Sequence, residues 1–237
     1  MNTLSAFGLS ACAALLTSCS NFGYHKSDTI QDGTAWVANS PEWAEEAEAV
    51  YAEATEYISR ISQTKSDGTW AVVLDVDETV LNNVEYQISL DQSGTIYTEK
   101  SWYNWTQEEK ATLVPGAAKF IQYTNDEGGS VALVTNRRDT EQLATENNLA
   151  RFGLRRHYDF RVLLTRARPD GPSGKDSRFE LVPTLLSAQG FPDVEVIAYI
   201  GDGRGDKPSE AGDWQFFCID QGAMYGDFCA DVPGPGR

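Results

Sequence analysis

The stretch Ala71-Val72-Val73-Leu74-Asp75-Val76-Asp77-Glu78-Thr79-Val80-Leu81 restricts this chain more than any other. Its apolar start, with two β-branched valines, predicts a short buried strand. That strand ends in Asp75 and Asp77, which the i, i+2 spacing turns to the same side. Like charges so close repel unless something cationic sits between them. For an isolated Asp-x-Asp the plain explanation is a strand end followed by an acidic helix cap, with Asp77 or Thr79 capping. Chemistry becomes the better explanation because matching pieces follow in order downstream.

Val131–Val134 is a second apolar run and leads directly into Thr135-Asn136-Arg137-Arg138. A hydroxyl and an amide at a strand end, just before a helix, suit an anion, although such a threonine alone is usually a cap. Phe160–Leu164 gives a third strand, and Val194–Ile200 a fourth that runs into Gly201-Asp202-Gly203-Arg204-Gly205-Asp206. Trp214–Ile219 gives a fifth. Helical patterns separate them. Ser40-Pro41 opens one whose apolar face carries Trp43, Ala47, Val50, Ala54, Tyr57, Ile58 and Ile61. Others are expected after Pro115-Gly116-Ala117, near Thr140–Phe152 and over Phe179–Leu186. Alternation of this kind predicts an α/β fold, a doubly wound parallel sheet that binds ligands outside the carboxyl ends of its strands. Residues 82–114 are polar, aromatic and irregular, and include Trp102-Tyr103-Asn104-Trp105.

Asp75-Val-Asp77-Glu-Thr79-Val-Leu resembles the first motif of the haloacid-dehalogenase (HAD) superfamily of phosphohydrolases. With Asn82 and Asn83 behind it, it is most similar to the class C nonspecific acid phosphatases, bacterial surface lipoproteins that include 5′-nucleotidases; the resemblance runs from about Trp36 to Phe228. It implies a Rossmann-like domain over residues 36–231, with residues 82–114 as a small helical cap. Asp75 is then the nucleophile and Asp77 the general acid and base, while Thr135, Asn136 and the third-motif Lys175 bind phosphate. Arg178 competes with Lys175 for that place. Mg²⁺ is expected on the Asp75 carboxylate, the Asp77 backbone carbonyl and Asp202, with Thr79 and Asp206 in support. The fourth motif departs from the family at Gly203, Arg204 and Lys207, and the closing motif has Gln221-Gly222 in place of Pro-Asn. Trp102, at the WxxW position, and Tyr225 are the expected substrate contacts; packing of the cap and the sheet edge is the alternative for both. The implied activity is hydrolysis of phosphomonoesters, above all nucleoside 5′-monophosphates. Two other readings stay open: a different phosphatase or phosphotransferase of the superfamily acting on sugar phosphates, and a noncatalytic surface lipoprotein that binds a ligand.

Residues 1–18 carry no charged side chain, and Leu16-Thr17-Ser18-Cys19 resembles a bacterial lipobox. Residues 1–18 are thus expected to be a signal peptide, Cys19 the lipidated residue and residues 19–35 a tether, placing the protein at the outer membrane or in the periplasm. Met1-Asn2-Thr3 lacks the usual positive charge, so a soluble N-terminal helix is the other possibility. The net charge of −16 argues against binding a nucleic-acid polymer or an anionic membrane through the protein surface. A small anionic substrate is still compatible, because a metal and a few cations can reverse the field within a cleft. No apolar run reaches the length of roughly 18 residues needed to span a membrane. The two histidines, His25 and His157, do not stand at strand ends, which argues against zinc and histidine-phosphatase chemistry. With Cys12 and Cys19 set aside, Cys218 and Cys229 remain, either bridged or with Cys218 simply buried in its strand. Residues 232–237 are a Pro/Gly tail.

Overall fold

The computed structural model describes residue 1 and residues 29–167, 173–222, 224 and 229–231. In chain order the strands are β1 (Trp70–Leu74), β2 (Leu81–Asn82), β3 (Thr112–Leu113), β4 (Ser130–Arg138), β5 (Val162–Arg166), β6 (Glu195–Gly201) and β7 (Gln215–Cys218). The helices are α1 (Asp32–Asn39), α2 (Pro41–Ser62), α3 (Val84–Ser93), α4 (Glu99–Glu108), α5 (Ala117–Asp126), α6 (Gln142–Ala150) and α7 (Asp176–Ser187). Five strands form one parallel sheet in the order β5-β4-β1-β6-β7. From β1 the chain winds outward through β4 and β5, then returns to lay β6 on the other side of β1. The winding therefore reverses between β1 and β6, the place where such sheets leave a ligand crevice.

Alternation along the strands gives the sheet two apolar faces. Trp70, Val72 and Leu74 of β1 pack with Val131 and Leu133 of β4 against α2 and α5, whose Tyr51, Ala54, Ile58, Phe120 and Ile121 fill the same core. Ala71, Val73, Ala132 and Val134 point the other way, onto Phe179, Val182 and Leu186 of α7. Each large side chain fully buried in these cores stabilises the fold by about 1.5–3 kcal/mol. The helix start read at Ser40-Pro41 is present: the Ser40 hydroxyl accepts from the Glu42 backbone N–H at 3.1 Å. At the far edge of the sheet Cys218 is joined to Cys229 in a disulfide, the bridged one of the two expected arrangements.

One boundary differs from the sequence reading. The expected tether over residues 19–35 ends too late, because α1 already begins at Asp32. Gln31 is bonded through its backbone and side-chain nitrogens to the Asp91 carboxylate of α3, at 2.9 and 3.1 Å. Asp-Gly-Thr is poor helix composition, so packing rather than propensity makes α1. Residues 82–114, polar and irregular as sequence but expected from the resemblance to be helical, hold α3 and α4 closed by the antiparallel β2–β3 ribbon. Helix α4 is capped reciprocally by Thr98 and Ser101, each accepting from the other's backbone N–H. Among the described residues no helix is long and apolar enough to cross a membrane. Cys19 and the tail over residues 232–237 lie outside the described residues.

One buried hydrogen bond couples the core to the Asp-rich turn. Tyr51 of α2 donates its hydroxyl to the Thr79 carbonyl at 2.6 Å. Burial pushes the Tyr51 hydroxyl well above its ordinary pKa, and the Asp75 carboxylate adds to this, so it stays a donor. Tyr51→Phe leaves that carbonyl unpaired, and a stability loss of about 1–3 kcal/mol is expected. A urea midpoint equal to that of the wild type, at equal slope, would show that the bond carries nothing.

Candidate active site

The Asp-rich turn is set by the sheet. Asp75 continues β1 with its backbone N–H donated to the Ile200 carbonyl at 2.9 Å, so its side chain stands at the β1–β6 reversal. The chain then turns sharply. Val80 and Leu81 donate to the Val76 carbonyl, and Glu78 adopts a left-handed backbone with φ of 58°. That conformation is uncommon for a residue other than glycine, and its surroundings hold it. The buried Glu78 carboxylate accepts from the Asn83 backbone and side-chain nitrogens at 2.7 and 3.1 Å. Its carbonyl accepts from the Gln221 side chain at 2.6 Å. Burial, reinforced by Asp77, keeps the Glu78 carboxyl well above its ordinary pKa despite the Asn83 bonds.

Asp75, Asp202 and Asp206 bring one carboxylate oxygen each to within 4.8 Å of one another. Asp206, expected only in support, thus joins the cluster itself. Lys175, 3% exposed, reaches into the same space from the start of α7. Its ammonium donates to Asp75 Oδ1, and to Asp206 Oδ1 at 2.6 Å. Burial pushes the Asp75 carboxyl up to about 7; Lys175 opposes that rise, while Asp206 and Asp77 add to it. Asp202 is also held well above the usual carboxylate range, by burial and then by Asp206 and Asp75. Burial alone would lower the Lys175 ammonium, but the two carboxylates reverse this and raise it. Three carboxylates against one ammonium leave a deficit of positive charge, which a hard divalent cation with oxygen ligands would fill. The donor set therefore fits such an ion.

Asp77 faces another direction. Its Oδ1 accepts from Arg137 Nη2 at 2.7 Å, Arg137 Nε at 2.9 Å and Asn83 Nδ2 at 2.9 Å. Arg137 is 1% exposed, and the burial that would lower its pKa is more than offset by the Asp77 carboxylate together with Glu141 and Glu78. Sequence reading missed this arginine, yet a signal was there. On a strand Arg137 falls on the same side as Thr135, two residues before it.

Thr135 is fully buried; its hydroxyl accepts from the Arg137 backbone N–H at 3.1 Å and lies 3.4 Å from Asp77 Oδ2. Asn136 is exposed at the end of β4. Arg178, the competitor of Lys175, points elsewhere: it donates to the Thr135 carbonyl and, at 2.6 Å, to Asn136 Oδ1. Arg178 therefore ties the start of α7 to the end of β4, while Lys175 faces the carboxylates. The Thr79 hydroxyl is buried with no hydrogen-bond partner among the described residues, so Thr79 meets its surroundings through its carbonyl. Trp102 stands on α4, edge-on to Tyr86 with ring centroids 5.1 Å apart, and the Arg137 guanidinium lies 5.7 Å from its ring centre. The structure thus brings together Asp75, Asp77, Thr135, Asn136, Lys175, Asp202 and Asp206 at one edge of the sheet; Tyr225 lies outside the described residues.

Comparison with known proteins follows the same outline. Over most of its length the chain is similar in fold to the class C acid phosphatase from Bacillus anthracis, at 22% identity and a TM-score of 0.67, covering 82% of this chain and 84% of that one. The tungstate-bound structure of class C acid phosphatase from the same organism gives 23% identity and a TM-score of 0.66 over the same shares of both chains. "Acid phosphatase 1" of Solanum lycopersicum is 26% identical over 130 residues, 55% of this chain, and the match spans about half (49%) of that protein's length. Residues 10–206 match the family described as HAD superfamily, subfamily IIIB (acid phosphatase), and the chain belongs to that family.

Proposed function

We propose that this protein hydrolyses phosphomonoesters through an aspartyl-phosphate intermediate. The observation that carries this reading is the meeting of Lys175 with Asp75, Asp202 and Asp206 at the β1–β6 reversal. Lys175 occupies Asp75 Oδ1, while Oδ2 accepts no hydrogen bond among the described residues and is the atom available to attack phosphorus. Attack forms the acyl-phosphate bond and breaks the bond to the ester oxygen, which leaves as an alcohol with a proton from Asp77. Asp77 then takes a proton from water as that water attacks phosphorus, releasing phosphate and the free Asp75 carboxylate. The Thr135 hydroxyl, the Asn136 amide and the Lys175 ammonium are the proposed phosphoryl ligands. Arg137 and Asn83 fix the orientation of Asp77.

Asp75, Asp202, Asp206 and the Asp77 backbone carbonyl would hold Mg²⁺, which when bound supplies charge neutralisation for the phosphoryl group. Tungstate, present in the Bacillus anthracis structure, is a tetrahedral oxyanion like phosphate, which supports the choice of ligand. For the leaving group we favour nucleoside 5′-monophosphates, because Trp102 and Asp77 line one cavity. Cys19 is proposed as a lipid attachment point that holds the protein at the outer membrane.

Asp75→Asn should reduce hydrolysis of p-nitrophenyl phosphate to near background in a protein that still folds. More than a few per cent of wild-type turnover in that variant would falsify the nucleophile assignment. Gly201 offers a subtler probe, since a Cβ there would run into the Asp206 side chain. Gly201→Ala should weaken Mg²⁺ binding by at least about tenfold in a titration calorimeter, and unchanged binding would remove Asp206 from the metal set. Trp102→Ala should lower kcat/KM for a nucleoside monophosphate by about 5- to 150-fold, the range for loss of one base–aromatic stack. Equal losses for glycerol phosphate would instead make Trp102 a packing residue. Cys19→Ala should move the protein out of the membrane fraction, and a variant still found there would end the anchoring proposal.

A further inference from the structure

Two arginines beside the site have no part in the chemistry above. Asp77, Asn136 and Trp102 line a cavity of about 180 Å³ together with Arg137, Arg138 and Arg166. Arg137 is committed to Asp77. Arg138 and Arg166 are not: they are register partners across β4 and β5, with side chains 17% and 18% exposed. Both guanidinium groups turn to one carboxylate, Glu99 of the cap, which pairs with Arg138 and lies 3.8 Å from Arg166. The Arg166 Nε is buried and has no hydrogen-bond partner among the described residues. Glu141, on the same cavity wall, is already spent. One of its oxygens accepts from the Arg138 backbone N–H at 2.6 Å and the other from Thr106 at 3.1 Å.

Glu99 differs from Asp77 and Glu141, the carboxylates that line the cavity, in being 55% exposed. It stands at the first turn of α4 with water on one side. A side chain so placed regains hydration when it swings away, so its release costs little. The two guanidinium forks it would leave have the planar donor geometry that matches phosphate and carboxylate oxygens. Asp77, the residue assigned to the leaving oxygen, lines the same cavity. An anion lodged between the forks therefore belongs to the leaving group and not to the phosphoryl group being transferred.

We propose that Arg138 and Arg166 form a second anion subsite, which selects phosphomonoesters whose leaving alcohol carries a further phosphate or carboxylate, and that Glu99 is a stand-in which the substrate anion displaces. The inference rests on the hydrolase reading above and narrows its substrate class: a nucleoside 5′-monophosphate, whose nucleoside carries no second anion, would leave this subsite unfilled, whereas an ester with a further phosphate or carboxylate, a nucleotide with a second phosphate included, would fill it.

The test compares kcat/KM for 1,3-propanediol monophosphate, 1,3-propanediol bisphosphate and 3-hydroxypropanoate phosphate, with p-nitrophenyl phosphate as a reference for turnover. Wild-type protein should favour at least one of the doubly anionic esters over the monophosphate by about tenfold or more, the range for hydrogen bonds to a charged group. Whichever of the two is favoured identifies the second anion as phosphate or carboxylate. In Arg166→Gln that ratio should fall to near one, and in Glu99→Gln it should rise severalfold. Because each ratio is taken within one protein, a smaller folded fraction does not alter it. Equal kcat/KM for the three esters, with p-nitrophenyl phosphate still hydrolysed, would overturn the subsite and leave the hydrolase reading intact. A Glu99→Gln variant that slows every substrate in parallel would show the carboxylate to be a cap contact and would overturn the proposal as well. Absence of p-nitrophenyl phosphate turnover in Mg²⁺ would overturn the hydrolase reading and this proposal with it.

Discussion

The buried Lys175 ammonium is what permits the carboxylate cluster to exist. Asp75 and Asp206 are both buried, and each meets the same nitrogen. Without it, two carboxylates would share a low-dielectric space with Asp202 close by, a costly arrangement. Breaking such a contact by deleting one partner leaves an uncompensated buried charge. The rest of the fold serves to deliver these groups to one point. The reversal between β1 and β6 brings Asp75 beside Asp202, the lack of a side chain at Gly201 admits Asp206, and α7 carries Lys175 in from the opposite face of the sheet.

Around this centre the cationic side chains are divided by task. Lys175 faces the carboxylates, Arg137 grips Asp77, and Arg178 fastens the loop before α7 to the end of β4. A chain of net charge −16 thereby keeps a compact group of buried or half-buried cations at one sheet edge. The surface field repels anions at long range, so capture depends on this local concentration of cations and on the metal that the carboxylates fit.

Much of this was legible in the sequence because strands alternate. The apolar runs before Asp75, Thr135 and Asp202 all become strands of one sheet, and the four motifs fall at its carboxyl edge as their order implies. What escaped notice had weaker local signals. Helix α1 has a helix-poor start, and α4 is a short, polar helix of which only Thr106 is fully buried, so neither reads from the sequence as plainly as the 22-residue α2. Asp206 was set back because its neighbours differ from the family's, yet Gly201 secures its position five residues earlier in the chain. Gln221, standing where the family has proline, holds the carbonyl of Glu78 143 residues away, and no single-sequence pattern announces a contact so distant.

The cap is joined to the sheet domain by more than its ribbon. Thr106 donates to Glu141, and the α6 residues Asn147 and Asn148 donate to Glu109 and to the Ala111 carbonyl, both at 2.8 Å. Gln31 holds α3 from the other end of the chain. A segment fastened at so many points moves as one body only when several bonds break together. Through Tyr97 and Trp102 this segment also forms one wall of the cavity that Asp77 lines, so the bonds that fasten it fix the position of that wall as well.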